Sequence, residues 1–227
     1  MFSMTYFLSV TNTLAETAVA PMNLVEIATK GGWIMLLLLL LSLIVLYIFI
    51  ERSFVLRQAG KEDPLFMEKI EDYIRMEQIE SALNLCKMTD TPSARMVEKG
   101  IKRMGHPVNE VQRAIENVGN LEISKLEMGL PVMATISSGA PMIGFLGTVI
   151  GMVRAFWEMS NAGSNVDITL LSAGIYQAMI TTVGGLIVGI IAMFTYNYLV
   201  ARVDGVVNKM EAKSMAFIDL LNDSINK

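Results

Sequence analysis

Apolar and polar positions along this chain are segregated over distances much longer than a helix turn. Residues 31–50, 128–153 and 168–201 contain no Asp, Glu, Lys or Arg, and together make up 80 of the 227 residues. The first stretch is just long enough to cross a hydrocarbon core of ~30 Å as an α-helix. The third would be about 51 Å long at ~1.5 Å per residue, so it must tilt or project beyond the bilayer. The helix-compatible, mixed-charge residues 203–217 favour projection. The pattern predicts an all-α membrane protein with three transmembrane helices and a helical loop of 77 residues, 51–127, between the first two apolar spans. Helices two and three are expected to extend beyond the membrane.

Within the loop, Ile70, Ile74, Ile79 and Leu83 recur at roughly helical spacing and predict one buried face. Asp63-Pro64 and Thr91-Pro92 each place a capping side chain before a proline suited to the first helical position. His106-Pro107 marks a further break. From Asn109 the pattern continues through Ile115, Val118 and Ile123 almost into the second span, so one long helix is expected there.

Charge sets the orientation. Residues 51–127 carry twelve Lys and Arg, the tail 202–227 carries four, and the connection 158–167 carries none. Arg52, Arg57, Lys125 and Arg202 are juxtamembrane. The positive-inside bias therefore places the long loop and the tail in the cytoplasm and the N-terminus outside. The expected division is an N-terminal outer segment (1–30), transmembrane helix 1 (31–50), a cytoplasmic helical loop (51–127), transmembrane helix 2 (128–157), a short outer connection (158–167), transmembrane helix 3 (168–201) and a cytoplasmic tail (202–227). Ala18-Val19-Ala20 looks like a signal-peptidase site, but the first sixteen residues hold no Lys or Arg to form a positive n-region. The preferred expectation is a short amphipathic segment that is retained.

The net charge of −4 argues against a nucleic-acid partner. Cys86 has no second cysteine for a disulfide, and His106 has no second histidine for a metal site. Cys86 reads as a small core residue and His106 as a turn residue. No catalytic set, metal site or cofactor site can be assembled, and an enzyme is not expected.

The three spans differ in kind. The first is made of large aliphatics, with Trp33 and Tyr47 near its ends, and is expected to face lipid. The second and third are rich in small residues, which permit close helix approach. On a helix Ser137, Pro141, Gly144 and Thr148 share one stripe, beside Gly147-x-x-x-Gly151. Pro141 has no N–H for the Ser137 carbonyl, which predicts a kink. In the third span Gly174, Ala178, Thr182, Gly185, Gly189 and Ala192 form a continuous small face, with Gln177, Thr181 and Gly184 alongside. These glycines can serve packing alone. Thr148, Thr181, Thr182, Gln177 and Ser137 are candidates to line a polar path, because polar side chains at membrane depth pair or face a wet cavity. None of the spans holds an Asp, Glu, Lys, Arg or His. Threonine and glutamine do not titrate near neutral pH, so a proton path here needs a titratable group from a partner helix.

The segment Ile136-Ser-Ser-Gly-Ala-Pro-Met-Ile-Gly-Phe-Leu-Gly-Thr-Val-Ile-Gly151 resembles the second-span signature of the ExbB/TolQ/MotA proton-channel family. Gly174-Ile-Tyr-Gln-Ala-Met-Ile-Thr-Thr-Val-Gly-Gly-Leu186, followed by Tyr196-Asn197, resembles the third-span signature. Three spans with one large loop are similar to the ExbB and TolQ branches, not to four-span MotA. The resemblance implies a subunit of a bacterial inner-membrane motor driven by proton-motive force, with residues 1–30 and 158–167 periplasmic. It implies a homo-oligomer, a pentameric ring whose second and third spans line a pore. It also implies a single-span ExbD- or TolR-like partner carrying an intramembrane Asp, and coupling to a TonB-like protein or to envelope maintenance. The family's pore threonines fall on Thr148 and Thr182, and a position often occupied by Glu is Gln177 here. A structural scaffold whose glycine faces only drive oligomerisation is the alternative from another class. A solute transporter is less favoured, since no internal repeat appears.

Overall fold

A computed structural model describes residues 31–61, 63–161 and 168–225. These residues form seven α-helices and no strand: α1 (Gly32–Ala59), α2 (Phe66–Arg75), α3 (Ile79–Thr89), α4 (Pro92–Ile101), α5 (Val108–Leu126), α6 (Leu130–Asn161) and α7 (Ile168–Ile225). Three stretches are long and apolar enough to cross a membrane: Gly32–Ala59, Val108–Asn161 (through its apolar α6 part) and Leu171–Asn222. The expected all-α, three-span class is therefore present. The outer segment 1–30, with its Ala18-Val19-Ala20 site, lies outside the described residues, as do residues 162–167.

At 58 residues, α7 would measure about 87 Å at ~1.5 Å per residue, far more than a bilayer core. It runs on unbroken past residue 201, in keeping with the predicted projection. In contrast, the long helix expected from Asn109 into the second span is not formed. The chain breaks between α5 and α6 at residues 127–129, where Gly129 adopts a φ of +86°. Two residues explain the break. Glycine tolerates the left-handed conformation, and Pro131 has no N–H to donate to the Glu127 carbonyl in a helix continued from α5. Periodicity alone hides this, whereas Gly129-Leu130-Pro131 announces it.

The chain divides into two compact units, each treated by itself. One comprises residues 31–39 with 141–186, and the other residues 40–140 with 187–227. The second unit holds the loop helices. Their core is Phe66, Ile70, Ala82, Cys86, Val97, Val111, Ile115 and Phe217, all nearly or fully buried. Burial of each large member contributes roughly 1.5–3 kcal/mol. Gly100 gives room to Phe217 and Ile115, and Gly119 gives room to Met96. Ile70 and Ile74 lie on the predicted buried face, but Ile79 and Leu83 belong to a separate helix and are only half-buried. Burial, and then Glu98 nearby, pushes the Cys86 thiol up to about 12, so it stays a protonated core residue.

The two predicted caps have different outcomes. Thr91 caps α4, accepting from the Ala94 N–H at 3.3 Å with Pro92 at the first helical position. Asp63 does not cap α2, which starts only at Phe66. Its carboxylate instead accepts from the Leu65 N–H at 3.0 Å and pairs with Lys69 at 2.6 Å. A side chain with a local backbone donor two residues on forms a turn in place of a helix start.

A charged network that periodicity cannot reveal joins α4 to α5. The Glu122 carboxylate, 4% exposed, accepts from Arg95 at 2.6 Å and from Lys125 at 2.7 Å. Arg95 also reaches Asp90. Burial alone would raise Glu122, but the hydrogen bonds and charges of Arg95 and Lys125 outweigh it and hold the carboxyl below its ordinary value. A folded-state pKa below the unfolded one stabilises the fold above the unfolded pKa. That contribution is lost as pH falls through the folded pKa. Glu122→Gln is therefore expected to cost about 1–3 kcal/mol at neutral pH. The gap between the two proteins should shrink on acidification, as thermal unfolding followed by circular dichroism at neutral and acid pH would measure. A gap independent of pH would mean that ionisation is not what Glu122 contributes.

In the same unit, buried Arg52 donates to the Lys125 carbonyl at 2.8 Å and to Glu51 at 2.7 Å. A guanidinium thus satisfies one of the carbonyls left open at the C-terminus of α5. Ile48 packs on Gly129. The first span is accordingly not only a lipid-facing anchor. Leu36, Leu43 and Tyr47 are exposed, while Ile34, Leu38, Val45 and Ile48 are buried. The aliphatic run in the sequence reads the same on every face, so it could not distinguish them.

Candidate functional site: a threonine pair between two charge-free spans

Within residues 31–39 and 141–186, α6 and α7 come together along their small residues. A Cβ placed on Gly144 would stand 2.8 Å from the Thr181 carbonyl oxygen, 3.0 Å from Gly185 Cα and 3.2 Å from Thr182 Cα. All three are backbone atoms, so nothing larger than glycine fits. A Cβ on Gly147 would meet the Thr181 side chain at 2.5–2.7 Å. Further along, Gly151 faces Ala178, and Gly174 faces Ala155, at 2.9 and 2.7 Å respectively. The Gly147-x-x-x-Gly151 pair and the face containing Gly174, Ala178, Thr182 and Gly185 are one continuous contact.

Close approach brings two hydroxyls together. Thr148 on α6 and Thr182 on α7 are hydrogen-bonded to each other through their Oγ1 atoms. Thr148 Oγ1 also lies 3.1 Å from the Ala178 carbonyl, and Thr182 Oγ1 lies 3.3 Å from the Gly144 carbonyl. Two hydroxyl protons therefore serve a small ring of acceptors. Thr148 can donate to Thr182, which donates to Gly144, or Thr182 can donate to Thr148, which donates to Ala178. Both arrangements satisfy every proton. The pair can reverse its hydrogen-bond direction without either residue gaining or losing a charge. Both threonines are half-buried in the single chain, so the pair reaches a surface.

The other predicted polar residues lie elsewhere. Thr181 is 1% exposed and donates to the Ala178 carbonyl at 2.8 Å, inside the helix contact against Gly147. Gln177 is half-buried, with its amide nitrogen 2.7 Å from the Cβ position of Gly32 on α1, beside a groove formed with Ser172, Ala173 and Tyr176. In the other unit, Ser137 is half-buried and donates into its own helix, to the Ala134 carbonyl at 2.7 Å. Pro141 lies within α6, which continues through it. Gly189, also in the other unit, is buried. The sequence placed Thr148 and Thr182 each on a small-residue stripe of its own span, but helical spacing could not say which of the adjacent threonines, 181 or 182, met Thr148. Among the described residues no group of three or more His, Cys, Asp or Glu stands close enough to hold a metal ion.

A hydroxyl pair between two charge-free spans, residues 128–153 and 168–201, can solvate or relay a proton but cannot store one. With that geometry in hand, comparison with known proteins is decisive. The model of the MotA/TolQ/ExbB proton channel family matches residues 88–212, which include α6, the pair and most of α7. The chain belongs to this family. Its relatives include a biopolymer transport protein ExbB homolog of Methanothermobacter thermautotrophicus, 30% identical over 190 residues, covering 83% of this chain and 67% of that protein. An ExbB-like biopolymer transport protein of Synechocystis is 33% identical over 181 residues, covering 76% of this chain and 68% of the relative. The Tol-Pal system protein TolQ of Haemophilus influenzae is 28% identical over 202 residues, covering 82% and 88%. Both ExbB-like and TolQ proteins are thus similar along most of the chain.

Proposed function

We propose that this chain is the multi-copy channel subunit of an inner-membrane motor, with the N-terminus periplasmic and the long loop and tail cytoplasmic. Copies assemble as a ring, and Thr148 and Thr182 line the path of the proton, with Gln177 nearby. The observation that carries this reading is the hydroxyl pair itself, in a family of proton channels, between spans that hold no Asp, Glu, Lys, Arg or His. The missing proton-binding group comes from an ExbD-like partner with one transmembrane helix and an intramembrane Asp. Gln177 in place of an acid leaves that Asp as the titrating site. The work delivered energises a TonB-like protein for outer-membrane uptake. The TolQ similarity supports a second reading, a motor for envelope maintenance. Loss of uptake on deletion of the gene favours the first reading, and leakage of periplasmic protein favours the second.

Proton flux into vesicles tests the division of labour. The chain reconstituted alone should conduct no protons, and co-reconstitution with the single-span partner should produce flux that an Asp→Asn change in the partner abolishes. Flux through the chain alone, or flux that survives the partner change, would overturn the proposal.

A further inference from the structure

In the unit of residues 40–140 and 187–227, residues of α1 and α7 line two adjoining open clefts of about 410 and 530 Å³ that share Ser53, Arg57 and Tyr198. The two lobes differ in chemistry. One is walled by Phe49, Phe54 and Phe194, the other by Lys61, Arg202 and Lys209, with Arg57 in both. Among the described residues no carboxylate lines either lobe, and Arg57, Lys61 and Lys209 make no ion pair. Arg202 is held in place without being neutralised. Its guanidinium donates to the Tyr198 hydroxyl at 3.0 Å and lies 5.4 Å from that ring. Ser53 lines both lobes, and its hydroxyl is buried with no hydrogen-bond partner.

Position makes this composition meaningful. The charge-free spans end at Ile50 and Ala201. The exposed apolar face of α1 continues to Phe54, three residues before Arg57. On α7, Phe194 and Tyr198 precede Arg202 by two turns and one. The apolar lobe therefore lies at acyl-chain depth and the basic lobe at headgroup depth on the long-loop side of the membrane. We propose that this cleft binds one anionic phospholipid, with its acyl chains along Phe49, Phe54 and Phe194 and its phosphate at Arg57 and Arg202. Four cations and no acid select against zwitterionic lipid. The aromatic wall, which free phosphate would leave wet, selects for a lipid over the ion alone. The inference needs α1 and α7 to cross a bilayer, and it is independent of the motor reading.

The test uses the full chain, delipidated in neutral detergent, with thermal unfolding as the readout. Palmitoyl-oleoyl phosphatidylglycerol should raise the midpoint, whereas the matching phosphatidylcholine and inorganic phosphate should not. In Arg57→Gln/Arg202→Gln the phosphatidylglycerol concentration giving half the effect should rise roughly tenfold or more. A control with the same charge change on exposed loop residues, Lys87→Gln/Arg113→Gln, should respond like the parent. If the first double variant lacks a helical circular dichroism spectrum, Lys61→Gln/Lys209→Gln is measured instead with the same expectation. The proposal is overturned by no response to phosphatidylglycerol, an equal response to phosphatidylcholine or phosphate, or an undiminished response in the cleft variant.

Discussion

Replacing Gly144 with leucine is expected to unfold the α6–α7 contact, at a cost of about 3 kcal/mol or more. The reason is what the new side chain would meet. The nearest atoms are the Thr181 carbonyl oxygen and the Cα atoms of Thr182 and Gly185, which are backbone and have no rotamer to change. The two helices would have to separate, and the Thr148–Thr182 hydrogen bond would break with them. Thermal unfolding in detergent and the oligomer size by gel filtration would register the loss. Gly139→Leu is the control, because nothing stands within 4 Å of a Cβ at that position. Equal damage from both changes would mean that general span disruption, and not the backbone contact, sets the effect. Gly147 adds a refinement, since its neighbour is the Thr181 side chain. Gly147→Ala should destabilise, and Thr181→Ala should relieve part of that cost when the two are combined, a coupling that a double-mutant cycle resolves.

Charge segregation made the three spans legible in the sequence, because the apolar core of a bilayer makes charge costly along the whole length of a span. Small-residue stripes revealed the packing faces of α6 and α7, since backbone approach leaves few alternatives to Gly, Ala, Ser and Thr. Features decided by three-dimensional partners were not legible. Thr181 and Thr182 are adjacent in the chain, and only the seating of α6 separates the buried hydroxyl from the one facing Thr148. The Arg95–Glu122–Lys125 network joins residues up to 27 positions apart, beyond any helical period. Asp63 and Thr91 precede prolines in the same way, yet only Thr91 caps a helix. The cleft at Arg57 and Arg202 had a partial signal. Both were recognisable as juxtamembrane cations, but not that α1 and α7 bring them to one place beside a buried Ser53 hydroxyl.

Thr148→Val and Thr182→Val together are expected to leave the helix contact standing while removing proton-driven work. Valine matches threonine in shape, so the glycine-lined approach around Gly144 and Gly151 is preserved. Interhelical hydrogen bonds within membranes contribute about 0.6 kcal/mol on average and at most ~1.7. Loss of the pair should therefore lower the unfolding midpoint slightly and leave the oligomer intact. Transport should respond more strongly. With both hydroxyls gone, the Gly144 and Ala178 carbonyls lose their interhelical donors and a proton on the partner's acid meets an apolar wall. Flux should fall roughly tenfold or more, the effect of about 1.4 kcal/mol on a barrier. Thr148→Ser/Thr182→Ser keeps both hydroxyls and should retain most of the flux. That separates loss of the hydrogen bond from loss of the methyl contacts. A scaffold whose glycines only pack would behave in the opposite way: the valine variant would work normally, and only Gly144→Leu would fail. Normal flux in the valine variant, with the oligomer present, would remove the hydroxyl pair from the mechanism.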